Sequence, residues 1–197
     1  MKKIFIVILM CLPMIVMAQN SWEKPVEKSN TDSKYLVGAV PVVDGKVVFE
    51  INISAPGKKA GEIYQTMLRE LEAMTKEEGQ FEQSRIISAN PEKNEICAGY
   101  QEWLVFKSTA LALDRTRLFY NLVVTCEDGK ANVKMTRIHY LYEEERNPQT
   151  FKAEEWITDE YGLKKSKEKL SRVTGKFRRK TIDRKDYLFD KFTNLLK

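Results

Sequence analysis

Residues 115–142 read RTRLFYNLVVTCEDGKANVKMTRIHYLY, and this stretch decides the fold. Asp128-Gly129, between Glu127 and Lys130, is a dipeptide that tolerates positive φ at both central turn positions. It closes a two-residue β-hairpin. Pairing outward from that turn sets Val124 opposite Val133, Leu122 opposite Met135, Tyr120 opposite Arg137 and Leu118 opposite His139. One face of the pair is then mostly apolar, as a sheet face covered by helices must be. The other holds Phe119 with Ile138, Asn121 with Thr136, and Val123 with Lys134.

Upstream, 96–107 is a long strand with Ile96, Ala98, Tyr100, Leu104 and Phe106 on one parity, preceded by a short strand over 83–89. Before these comes an amphipathic helix over 58–78. Ala60, Ile63, Met67, Leu71 and Met74 recur at spacings of three and four, and Gly79 closes it. Lys46 to Ile53 alternates Val47, Phe49, Ile51 and Ile53 against Val48, Glu50 and Asn52, a strand with one apolar face. Asp44-Gly45 turns into it from the apolar stretch 35–43, which Pro41 limits to an edge position. Downstream, Phe151 to Ile157 is expected to form a short helix, and Asp183 to cap a final one carrying Tyr187, Leu188, Phe189, Phe192, Leu195 and Leu196. Hairpin-linked strands with helices on one side make an α+β fold, a two-layer antiparallel sheet in the order β-α-β-β-β-β-α.

The first residues carry an address. Lys2 and Lys3 precede an apolar run from Ile4 to Met17, and Val16-Met17-Ala18 has the spacing that signal peptidase reads. The run of 14 residues is shorter than the about 20 that a membrane span needs. Residues 1–18 are therefore expected to be a signal peptide, 19–34 a polar disordered leader, 35–145 an α+β domain, and 146–197 a basic extension with a helix packing on the sheet. The expected destination is the periplasm, the outer membrane or the exterior, and not a position within the bilayer. Cleavage lowers the formal charge from +5 to +3 and leaves two cysteines. Cys97 points away from the apolar face and Cys126 toward it, so the two are expected to be unpaired.

Three stretches resemble a family of exported Bacteroidetes proteins that form a domain of unknown function with a TATA-binding-protein-like (TBP-like) fold. They are Gly38 to Phe49, the Pro56-Gly57-Lys58 start of a helix containing Glu62-Ile63-Tyr64, and Gly175 to Asp183. The resemblance spans 36–196. It implies a fold and a location, and no activity, substrate or catalytic residue.

The residues themselves offer little catalytic chemistry. His139 is the only histidine, and no serine or cysteine nucleophile adjoins it in the predicted strand pair. No His/Cys spacing suits zinc, no glycine cluster suits a phosphate loop, and no pair of carboxylates stands out. No residue is given a catalytic or metal-binding role, no cofactor is expected, and the protein is read as non-enzymatic. The alternatives are a hydrolase with an unseen carboxylate site and a structural subunit of an envelope assembly.

The working surface is expected on the open sheet face. Trp103, Val105, Phe119, Val123, Ile138, Tyr140 and Tyr142 present apolar groups there, with Arg117, Asn121, Lys134 and Thr136 among them. A sheet face turned to water normally alternates to polar residues, so an apolar patch rimmed by polar groups marks an interaction site. Expected partners are an envelope protein, a peptide or a lipid. The segment 164–185 holds eleven Lys or Arg against Glu168 and Asp183. Such a block either pairs internally with acidic ends or contacts an anionic surface. Nucleic acid is excluded by export, whatever the fold suggests.

Overall fold

A computed structural model describes residues 32–109 and 111–197. The expected signal peptide, residues 1–18, and all of the expected leader but residues 32–34 lie outside the described residues. The elements run β1 (Val42–Val43), β2 (Lys46–Val47), β3 (Phe49–Ser54), α1 (Ala60–Met74), β4 (Arg85–Asn90), β5 (Glu95–Thr109), β6 (Ala112–Glu127), β7 (Lys130–Tyr142), β8 (Gln149–Lys152) and α2 (Gly175–Leu196). One antiparallel sheet has the order β3-β7-β6-β5-β4, and β8 joins the outer edge of β7 beyond the end of β3. Both helices cover one face, giving the α+β two-layer architecture.

The hairpin turn sits where the Asp128-Gly129 pair places it, with Glu127 opposite Lys130 and Val124 opposite Val133. The inner face is built from Ile96, Ala98, Tyr100 and Leu104 of β5 and from Leu118, Tyr120, Leu122 and Val124 of β6, all buried. The α1 stripe Ile63, Met67, Leu71 and Met74 is fully withdrawn from water against them. The α1 start is held from two sides. Glu62 accepts from the Lys59 backbone N–H, and the Asp128 carboxylate of the hairpin turn accepts from the Ala60 N–H at 2.9 Å. That pairing and the Lys59 ammonium hold the Asp128 carboxyl below its usual range.

Three local expectations change. The apolar stretch 35–43 does not join the main sheet: β1 pairs only with β2 across the Asp44-Gly45 turn, both turn residues at positive φ. Phe151 to Ile157 is not a helix. Residues 149–152 add to β7 as β8, and a single 3-10 turn over Ala153–Glu155 follows, with the Phe151 and Trp156 rings stacked at 3.8 Å. The last helix starts at Gly175, eight residues before Asp183, which lies inside it and accepts from the Tyr35 hydroxyl at 2.7 Å. The basic run disguised this helix because two of its cations face inward. Arg178 donates from Nε to the Tyr35 carbonyl, from Nη1 to that of Ile157 and from Nη2 to that of Leu36 and the Asp159 carboxylate. Arg184 donates from Nε to Glu102 at 2.7 Å, with both side chains buried. Burial of a guanidinium is tolerated only when its donors are matched this fully.

Candidate functional site

The open face depends on a β-bulge. Between Phe119/His139 and Asn121/Thr136 the register shifts, and Arg137 takes φ 54 there. One extra residue in β7 turns every side chain beyond it to the other face. Before the bulge, Val133 and Met135 point inward; after it, Ile138 and Tyr140 do. Leu118 therefore faces Tyr140, not His139.

The bulge overturns three of the expected binding residues. Ile138 and Tyr140 are buried in the core, with the Tyr140 hydroxyl 2.7 Å from Thr181 Oγ1 and its ring edge-on to Phe177. Tyr142 also turns to the helix side. Its hydroxyl donates to Asp114 at 3.0 Å, and Lys176 reaches both groups. Val105 is likewise buried, next to a second irregularity between Val105 and Lys107.

Trp103, Arg117, Phe119, Asn121, Lys134 and Thr136 remain on the open face, half-buried among one another, and Val123 lies with them. Trp103 and Phe81 meet edge-on at 5.2 Å. Arg115 lies over the Trp103 ring at 3.7 Å and Arg117 over the Phe81 ring at 3.9 Å. Arg115 donates to Glu145 at 2.8 Å and Arg117 to Glu144 at 3.1 Å. Phe119 stacks flat on His139, centroids 4.4 Å apart with 9° between planes. Cation–ring contacts and offset stacks of this kind favour a fixed arrangement over mobile side chains. The polar end of the face carries Asn121, whose amide approaches Cys97 Sγ at 3.9 Å, and Lys134, 3.4 Å from Glu50.

Phe81, Arg115 and His139 belong to this face and were not expected there. Arg115 shares the parity of Arg117 and Phe119, so its place was legible. Strict alternation from the hairpin turn puts His139 on the covered face, and only the bulge brings it over Phe119. Phe81 comes from the irregular segment after α1 and is fixed by its backbone N–H donating to the Gln101 carbonyl at 2.8 Å, a contact no local pattern announces.

His139 sets no nucleophile. Its Nδ1 lies 3.1 Å from the Arg137 carbonyl and its ring lies on Phe119. No group of three or more His, Cys, Asp or Glu among the described residues is placed to hold a metal ion. Cys97 and Cys126 are both free thiols and point to opposite faces. Burial pushes the Cys126 thiol up to about 11 and raises that of Cys97.

The architecture defines a class, an α+β module of the TBP-like kind with both helices on one sheet face. Residues 49–141 match the family described as a domain of unknown function (DUF4468) with TBP-like fold. A crystal structure of a DUF4468 family protein from Bacteroides ovatus is 42% identical and superposes with a TM-score of 0.79, covering 86% of this chain and 96% of that one. The chain belongs to the DUF4468 family. A TBP-like protein from Parabacteroides distasonis, 19% identical with a TM-score of 0.64 over 80% of this chain and 96% of that one, shares the fold. No curated protein matches the sequence. Among the described residues no helix is long and apolar enough to cross a membrane.

Proposed function

We propose that this protein is an exported, non-enzymatic module of the cell envelope that docks a protein partner on its open sheet face. The observation that carries the reading is the Phe81–Trp103–Arg115–Arg117–Phe119–His139 row. It lies on the face opposite both helices, and among the described residues neither helix packs over it. Tryptophan, aromatic rings and arginine are the side chains that anchor protein interfaces, and rings already locked in stacks lose little freedom on binding. The reading of export rests on Lys2, Lys3, the apolar run to Met17 and the Val16-x-Ala18 site.

The test is site-specific photo-crosslinking in the bacterium that makes the protein. A photoreactive residue at Phe119 or Lys134 should trap one discrete protein, and Trp103→Ala with Arg117→Ala should abolish the product. The same probe at Glu72, on the outward side of α1, should trap none. Identical products from both faces, or none from the sheet face, would refute the docking role. Retention of residues 1–18 in intact-mass measurement would refute export.

A further inference from the structure

The basic segment has a second destination besides the core. A cavity of about 330 Å³ opens at the start of α2, and Lys164, Lys169, Arg172, Lys176 and Arg179 line it without any Asp or Glu. That is about ten times the share of liquid volume of a water molecule, enough for a tetrahedral anion with its ester group. Four of the five cations make no ion pair among the described residues; Lys176 alone is paired, with Asp114 at 2.7 Å. The internal reading of this charge is thus met by Arg178 and Arg184, and not by Lys164, Lys169, Arg172 or Arg179.

The fold holds these cations together. Leu163 and Leu170 bridge, Lys164 N–H donates to the Lys169 carbonyl at 2.9 Å, and Ser171 N–H donates to Gly162 at 2.9 Å. The resulting loop lies on Gly175, where an added Cβ would meet the Leu170 Cβ at 2.8 Å. Only glycine permits that approach, which brings Lys164 and Lys169 beside Arg179 of the helix.

Two sets of donors beside the cavity lack acceptors among the described residues. Arg179 Nε is shut off from solvent and has no hydrogen-bond partner among the described residues. A desolvated guanidinium with an unmatched donor is costly, and an anion held by its outer nitrogens would offset that cost. Thr174 spends its hydroxyl on the Tyr161 carbonyl instead of capping the helix, and the first helical hydrogen bond is Arg178 N–H to Thr174. The first-turn amides of α2, that of Gly175 in the cavity wall among them, therefore have no intrahelical acceptor. The first turn contains no acidic residue.

We propose that this cavity binds a phosphoryl or sulfuryl group, held by Lys164, Lys169, Arg172 and Arg179 with the α2 amides behind them. A tetrahedral dianion offers this cluster two charges and acceptor oxygens in several directions, for both the guanidinium forks and the ammonium groups. The site lies on the helix side of the molecule and is independent of the open sheet face.

Calorimetric titration with inorganic phosphate, at fixed ionic strength with chloride replacing it in the blank, tests the proposal. Wild-type protein should bind saturably. The Lys169→Gln/Arg172→Gln double variant should bind about tenfold more weakly or worse, while Lys93→Gln, an exposed cation elsewhere, should bind as wild type. Thermal melts of all three establish that they are folded. Sedimentation with phosphatidylcholine vesicles, with and without phosphatidic acid, identifies the source. Phosphate-competed binding to the acidic vesicles means a lipid headgroup; phosphate binding with no vesicle preference means a soluble ligand. Absence of saturable phosphate binding, or a folded double variant that binds as wild type, overturns the site.

Discussion

Tyr140→Ala and Phe119→Ala place the β7 bulge under test, because the bulge puts these two rings on opposite faces. Tyr140 is fully buried, edge-on to Phe177 at 5.1 Å, with its hydroxyl 2.7 Å from Thr181 Oγ1. Truncating a buried aromatic costs about 3–5 kcal/mol, and the lost hydrogen bond adds about 1 kcal/mol. At about 2–4 °C per kcal/mol for a chain of this size, the melting temperature should fall by roughly 8–24 °C. Phe119 is half-buried on the open face and loses mainly its stack on His139, worth about 1 kcal/mol. Urea unfolding followed by tryptophan fluorescence reads both, with an unchanged m-value showing that the unfolded state is unaffected. Without the bulge Tyr140 would share the open face with Trp103, and its truncation would cost little. A Tyr140→Ala variant within about 1 kcal/mol of wild type would therefore refute the shifted register.

Glu102→Leu should destabilise by about 3–5 kcal/mol in the same assay, because it leaves the Arg184 guanidinium buried without its carboxylate; a loss under about 1 kcal/mol would show that solvent reaches Arg184. Gly175→Ala should lower the melting temperature and weaken phosphate binding together, since the added methyl pushes Leu170 and its loop off α2; unchanged stability would mean the loop is not seated there. Burial raises the Cys126 thiol from 9.0 to about 11, so the unfolded chain releases this proton first and stability should decline as pH rises between those values. A Cys126→Ala variant should lose that part of the decline, and an identical pH profile would contradict it. A non-reducing peptide map should show no link between Cys97 and Cys126, whose side chains leave opposite faces of the sheet.

The local elements were written in short-range patterns. Asp128-Gly129 dictates a tight hairpin because glycine accepts the positive φ of 77° that the second turn position takes, and the three-and-four spacing of Ile63, Met67, Leu71 and Met74 dictates a helix that must bury that stripe. From these followed the α+β layers, the face covered by helices, and seven of the eleven residues expected on the open face: Trp103, Arg117, Phe119, Asn121, Val123, Lys134 and Thr136.

What the sequence could not decide was where the alternation breaks. A bulge is one residue of slack, and nothing in the run Thr136-Arg137-Ile138 marks Arg137 as the residue that turns left-handed. The choice is made by the core, which gains Ile138 and Tyr140 under α2 once the extra residue is inserted. The same holds for the charges. A run of lysines and arginines has one appearance in sequence, whether its members are solvated or buried. Arg178 and Arg184 face inward because Tyr35, Leu36, Ile157, Asp159 and Glu102 converge on them from distant parts of the chain. Lys164, Lys169, Arg172 and Arg179 gather around one cavity because Gly175 lets a loop close on a helix start. Periodicity is a property of neighbours along the chain; matching a buried donor or crowding like charges depends on neighbours in space, and only the folded chain supplies those.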